Sequence, residues 1–198
     1  MKGHPQHRPL YRFNNVLSFD SPWIAEDIPR LSLADFDSTK GRPFEGAHMK
    51  LRELFTADVV NLNLTAETKD ETVKQLVSLL HLDEKSKSIL YKTLKRRENL
   101  GSTGIGRGIA IPHCRSLVVS RLQLAYGRRP GGVEFKAIDD KPVYNFFLIV
   151  APPLEVSNQY LPVLGKIAQF AKDDDVPGLL ADLESPEDFL KLLDERAI

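Results

Sequence analysis

Residues 97–115 read Arg97-Glu98-Asn99-Leu100-Gly101-Ser102-Thr103-Gly104-Ile105-Gly106-Arg107-Gly108-Ile109-Ala110-Ile111-Pro112-His113-Cys114-Arg115. Four glycines fall within eight positions (Gly101, Gly104, Gly106, Gly108), an apolar run follows, and a histidine stands directly after a proline. Glycines at that density let backbone N–H groups approach an anion closely, or let the chain take positive φ. The dinucleotide fingerprint fails because its third glycine would fall on Ile109, and the Walker pattern fails for want of Gly-Lys-Ser/Thr. Gly108 to Ile111 has the composition of a buried strand, so His113 is expected at a strand end.

Outward from this stretch, two more runs, Leu122 to Gly127 and Tyr144 to Val150, are rich in β-branched and aromatic residues. Glycines and prolines bound them, which reads as strands, with a turn at Asp139-Asp140-Lys141-Pro142. Upstream, Leu51, Leu54 and Phe55 mark a short helical turn, and Val59 to Leu64 alternates like a strand. Glu67 to His81 repeats Val73, Leu76, Val77 and Leu80 at helical spacing, with Thr65 or Thr68 as N-cap. Ser86 to Arg97 is a second helix, with Ile89, Leu90 and Leu94 on one face. After Pro153 the chain returns to helix: Ser157 to Lys172, Val176 to Leu183, and Pro186 to Leu193 behind a Ser185 N-cap. Helices before and after a block of strands predict an α/β domain, a sheet with helices packed on both faces.

Residues 1–48 differ: prolines at 5, 9, 22, 29 and 43 interrupt any period. They read as an extension or leader, and Gly46-Ala47-His48-Met49 resembles an artificial junction before a natural start at Met49. His4 and His7 are expected to be solvated. The domain proper is then 49–198.

The 198 residues carry 27 basic and 27 acidic side chains, so formal charge is zero. That balance argues against nucleic acid as the main partner, since backbone phosphate binding relies on excess Lys and Arg. No apolar run approaches the roughly 18 residues of a membrane-spanning helix, so no membrane insertion is expected. One cysteine, Cys114, excludes an internal disulfide and fits a reducing cytoplasm. With no secretory signal to be read at the N-terminus, the protein is expected in the cytoplasm.

His113 is the candidate chemical centre. Pro112 fixes the backbone before it, and a nucleophilic imidazole needs one nitrogen for attack and the other protonated against an acceptor. Arg97, Arg107 and Arg115 are near in sequence and can neutralise a phosphoryl group, a chemistry that depends mainly on positioning and charge. Spacing alone equally allows a structural histidine, with glycines serving only tight turns. Neither a metal-ligand spacing nor a serine-nucleophile elbow is present.

The segments Arg97-Glu98, Ser102 to Gly106 and Gly108 to His113 resemble the signature of type-2 enzyme IIA domains of the bacterial phosphotransferase system. These include fructose and mannitol IIA domains and nitrogen-regulatory IIA proteins. Phe135 to Val143 resembles the family's turn-and-strand segment, so the likeness covers Met49 to Ile198. It implies a central mixed sheet flanked by helices, no cofactor and no metal. It further implies phosphoryl transfer from the phosphohistidine of an HPr-type carrier onto His113, with Arg97 beside it. Ser102 and Thr103 would support the phosphate-binding loop, with Arg115 as a further phosphate ligand.

The family's second histidine, in a His-Leu pair, is replaced here by Tyr160 before Leu161, and Cys114 stands where glycine is usual. Cys114 is either incidental or narrows the pocket beside His113. The resemblance implies mainly a regulator whose target reads the state of His113. Alternatives are a sugar-specific component passing phosphate to a IIB partner, and a binding module that has lost phosphorylation.

Overall fold

The Gly-rich stretch folds into three short strands that bring His113 to the middle strand of a sheet. In the computed structural model, which describes residues 50–153 and 159–196, these are β2 (Gly104–Gly106), β3 (Ile109–Ala110) and β4 (His113–Arg115). They join β1 (Val60–Asn61), β5 (Gln123–Val133) and β6 (Val143–Ala151) in a mixed six-stranded sheet ordered β1-β5-β6-β3-β2, with β4 also on β6. The 1–48 extension, with His4 and His7, and the first residues of the helix expected from Ser157 lie outside the described residues.

β3 and β4 run end to end along one edge of β6, both parallel to it and in continuous register: Ile109 opposite Asn145, Ala110 opposite Phe146, His113 opposite Ile149. Pro112 has no N–H and splits this line into two strands, but its carbonyl still accepts the Ile149 amide at 2.9 Å. β5 pairs antiparallel with β6 and parallel with β1, and β2 closes the other end antiparallel to β3.

The helices are α1 (Lys69–Leu79), α2 (Glu84–Leu100), α3 (Tyr160–Phe170), α4 (Val176–Ala181) and α5 (Pro186–Glu195). Of the two candidate caps, Thr68 is the one used: its side chain accepts from Glu71 N, and Glu71 returns a capping-box bond. Ser185 caps α5 in the same way with Asp188, behind Pro186 in the first turn. On α2 the buried face is Leu90, Leu94 and Glu98; Ile89 lies 43 % exposed, contrary to the expected stripe.

Adjacent residues of β5 show that helices cover both faces. Tyr126 stacks on Phe189 of α5 at 4.2 Å between ring centroids. The next residue, Gly127, leaves room for α1: a Cβ there would lie 2.8 Å from Leu76 Cδ2 and 2.6 Å from Leu64 Cδ1. Side chains alternate faces along a strand, so α5 and α1 lie on opposite sides. Phe147, paired with Tyr126, meets Phe170 of α3, which puts α3 on the α5 side. The Tyr126 hydroxyl is buried there and donates to Asn145 Oδ1 at 2.6 Å.

The strand expected over Val59 to Leu64 shrinks to two ladder residues. Leu62, Leu64 and Ala66 are still buried in alternation, but Asn61 Oδ1 accepts the Asn63 amide at 2.8 Å and bends the chain out of the ladder. β5 runs further than expected, through Pro130, Gly131 and Gly132, because a register shift between Arg128 and Val133 absorbs these residues as an irregular bulge.

Candidate active site

Register decides which side chains surround His113. His113 and Arg115 pair with Ile149 and Ala151, on the β6 face that also carries Phe147 and looks toward α3. Cys114 pairs with Val150 and turns to the opposite face, where it is buried. It therefore does not narrow the pocket beside His113. Burial pushes its thiol up to about 12, so it stays a neutral core group.

His113 is half-buried, and its Nδ1 lies 2.6 Å from the carbonyl oxygen of Ile111. A carbonyl oxygen can only accept, so Nδ1 carries the proton and the imidazole lone pair sits on Nε2. The acceptor is itself held: the Ile111 amide donates to Thr103 O at 3.0 Å, and Pro112 O is bonded to Ile149 N. Two backbone hydrogen bonds, one on either side, thus hold the peptide that orients the ring.

Tyr160 opens α3 with its ring centroid 6.0 Å from that of His113, and only 6 % of the residue is exposed. The Arg115 guanidinium lies over the Tyr160 ring, 4.7 Å from Cζ to the centroid, and Nη1 donates to Pro152 O at 2.7 Å. A permanent cation is thereby pinned on the same strand face as the imidazole, two residues along. This is one group: His113, Arg115 and Tyr160.

Arg97, Ser102 and Thr103 belong to a second group, under the Gly-rich loop. Arg97 Nη1 donates to Gly101 O at 3.1 Å, closing the turn after α2. The Ser102 hydroxyl donates to Phe135 O at 2.7 Å and accepts the Gly104 amide at 3.2 Å. The Thr103 hydroxyl donates to Glu98 Oε2 at 2.7 Å. Both hydroxyls are engaged in shaping the loop, so they support it in this structure rather than present themselves to a ligand. The two groups are joined through the bond from Ile111 N to Thr103 O.

Arg107 departs from the sequence reading. It takes positive φ (+59°) in the tight turn between β2 and β3, and its guanidinium donates to Lys172 O (2.5 Å) and Asp173 O (3.0 Å) and pairs with Asp174 (3.0 Å). It thereby ties the β2–β3 turn to the chain that follows α3. Glu98, by contrast, has no role legible in the motif, yet it is a buried carboxylate. Its partners, Thr103 and Lys69, are legible only in the fold.

Among the described residues no helix is long and apolar enough to cross a membrane. The family model described as "Phosphoenolpyruvate-dependent sugar phosphotransferase system, EIIA 2" matches residues 53–196. A nitrogen regulatory protein of Pseudomonas aeruginosa is 31 % identical over 130 residues, 65 % of this chain and 84 % of that protein. The fructose-specific EIIABC component of Bacillus subtilis is 28 % identical over 149 residues, 74 % of this chain but only 23 % of that much longer protein. Among solved structures, the nitrogen regulatory protein IIA-Ntr of Neisseria meningitidis superposes with a TM-score of 0.66 at 29 % identity, covering 72 % of this chain and 98 % of that one. Matched over residues 53–196, the chain belongs to the EIIA 2 family of the phosphoenolpyruvate-dependent sugar phosphotransferase system.

Proposed function

We propose that this EIIA-family chain is a cytoplasmic phosphohistidine carrier that accepts a phosphoryl group on Nε2 of His113 from an HPr-type protein and acts mainly as a regulator. The observation that carries the reading is the 2.6 Å contact between His113 Nδ1 and Ile111 O. It holds the imidazole in the tautomer whose Nε2 has the lone pair, the form a nucleophile requires. In the transfer, the donor's P–N bond breaks and returns its electron pair to the donor imidazole, while Nε2 forms the new P–N bond. The proton stays on Nδ1, donated to Ile111 O, whose partial negative charge stabilises the positive charge that develops on the ring.

Such a transition state needs cations around the equatorial oxygens more than covalent help. Arg115, pinned by Pro152 O and the Tyr160 ring, is one. Arg97, at the rim of the loop, is the second in this reading. The regulatory assignment draws support from the nitrogen regulatory relatives, which match along most of their length. Phosphorylation adds about −1.5 to −2 charges four positions before Leu117, whose side chain is 89 % exposed. A partner that seats on Leu117 with His113 neutral loses that fit when the phosphate is present.

The test is intact-protein mass after incubation with phosphoenolpyruvate, enzyme I and an HPr-type carrier. A gain of about 80 Da, acid-labile and absent in His113→Ala, is expected. Undiminished labelling of His113→Ala would move the acceptor elsewhere.

A further inference from the structure

Glu98 and Lys69 each stand at the wrong end of a helix. Glu98 is in the last turn of α2, where the helix dipole disfavours an anion, and Lys69 is the first residue of α1, where it disfavours a cation. Glu98 is also only 8 % exposed. A buried carboxylate paired with a partly exposed lysine, both at unfavourable dipole ends, is a poor choice for stability, because apolar packing of similar volume does as well or better. Local rules are broken in this manner mostly where a site requires it.

The pair is tied to the site by an unbroken line of bonds. Lys69 Nζ donates to Glu98 Oε1 at 2.9 Å and lies 4.4 Å from the centre of the Phe135 ring. The Glu98 carboxylate accepts the Thr103 amide (3.0 Å to Oε1, 3.2 Å to Oε2) and the Thr103 hydroxyl (2.7 Å). Both donors of Thr103 are thus held by Glu98. The Thr103 carbonyl accepts the Ile111 amide at 3.0 Å, and the Ile111 carbonyl accepts the hydrogen bond from His113 Nδ1–H. Each link enters and leaves Thr103 and Ile111 through different peptide groups, so the line from carboxylate to imidazole transmits position rather than charge.

We propose that Glu98 is the positioning residue of this site: through Thr103 and Ile111 its carboxylate fixes the carbonyl that keeps the His113 proton on Nδ1. It does not touch the reacting atoms. Lys69 keeps the carboxylate in place, held on its other side by the Phe135 ring. The inference rests on His113 being the phosphoryl acceptor only for its consequence in rate; the tautomer it concerns exists in the unphosphorylated protein.

The experiment therefore reads both. Full-length protein with ¹⁵N-labelled histidine is examined by NMR for the Nδ1–H to Nε2–H ratio of His113, and the same samples are assayed for phosphorylation rate with an HPr-type donor. In Glu98→Gln one carboxylate oxygen becomes an NH₂ that cannot accept, so the Nδ1–H fraction is expected to fall at least several-fold and the rate roughly 10-fold. Thr103→Val keeps the amide but removes the hydroxyl, and Lys69→Met removes the cation; both are expected to shift the ratio the same way by less. Thr103→Ser restores the hydroxyl and is expected to keep the wild-type ratio. A folded Glu98→Gln with the wild-type ratio overturns the proposal. If Glu98→Gln does not fold, a wild-type ratio in Thr103→Val together with Lys69→Met overturns it instead. Failure of the wild type to take up phosphate contradicts the proposed function while leaving the tautomer result to decide on Glu98.

Discussion

Replacing Tyr160 with leucine tests whether its ring acts through Arg115. Leucine fills much of the space at the start of α3 but offers no aromatic face to the guanidinium, now 4.7 Å from the ring centroid. A cation over an aromatic ring is stabilised by about 0.5–1 kcal/mol when exposed and about 2 when desolvated. Tyr160 is 6 % exposed and Arg115 is half-buried, so about 1 to 1.5 kcal/mol applies here. If that energy holds Arg115 where the phosphoryl oxygens develop charge, losing it slows transfer roughly 5- to 12-fold, at 1.36 kcal/mol per decade. The assay is single-turnover phosphorylation by rapid quench, with a thermal melt to confirm folding. Arg115→Met and the double variant complete a cycle. Because both single changes remove the same interaction, the double variant is expected to be no slower than Arg115→Met. Rates in Tyr160→Leu within twofold of wild type, or losses that simply multiply in the double variant, would refute the argument.

Other consequences follow from the packing. Cys114 faces the core with its thiol pushed up to about 12, so iodoacetamide at pH 8 should leave the folded protein unmodified and label it rapidly in urea; labelling without denaturant would place the thiol at the surface. Ser185→Ala removes the α5 cap, a loss of about 1 kcal/mol, and should lower Tm by about 2–4 °C. The Ser185 hydroxyl and amide hold the Asp188 carboxyl below its ordinary value, so its contribution is present above the unfolded pKa near 3.9 and lost as pH falls through the folded one. Wild-type Tm should thus drop on acidification below about pH 4, and less steeply in Ser185→Ala; parallel curves would contradict the cap's role. Gly127→Ala puts a Cβ 2.6 Å from Leu64 Cδ1, and urea melts should show about 1–3 kcal/mol of destabilisation; an unchanged midpoint would mean that α1 shifts without cost.

Where local chemistry dictates structure, the sequence was easily read. Ser185-Pro186 announces α5 because cap and first-turn proline act within three residues, and Gly108 to Ile111 announces a buried strand by composition alone. His113 was legible as a candidate because proline precedes it and an apolar run anchors it. β2 and β4 were not, since three-residue strands such as His113-Cys114-Arg115 have no period to detect and exist only because β6 offers an edge in register. Pro130-Gly131-Gly132 reads as a break, and only the bulge against β6 keeps it in β5. Arg107 and Arg115 look equivalent in sequence; one binds the turn after α3 and the other stands on the His113 face because a tight turn and a strand aim them differently. The part played by Glu98 depends on Lys69, 29 positions away, which no local pattern reveals.

The most direct test of the central claim is long-range ¹H–¹⁵N correlation NMR on the protein after phosphorylation by an HPr-type donor. The account predicts one phosphohistidine, at His113, with phosphorus on Nε2 and the proton retained on Nδ1. Phosphate on Nδ1, on another residue, or on none with a verified donor and folded protein would contradict it.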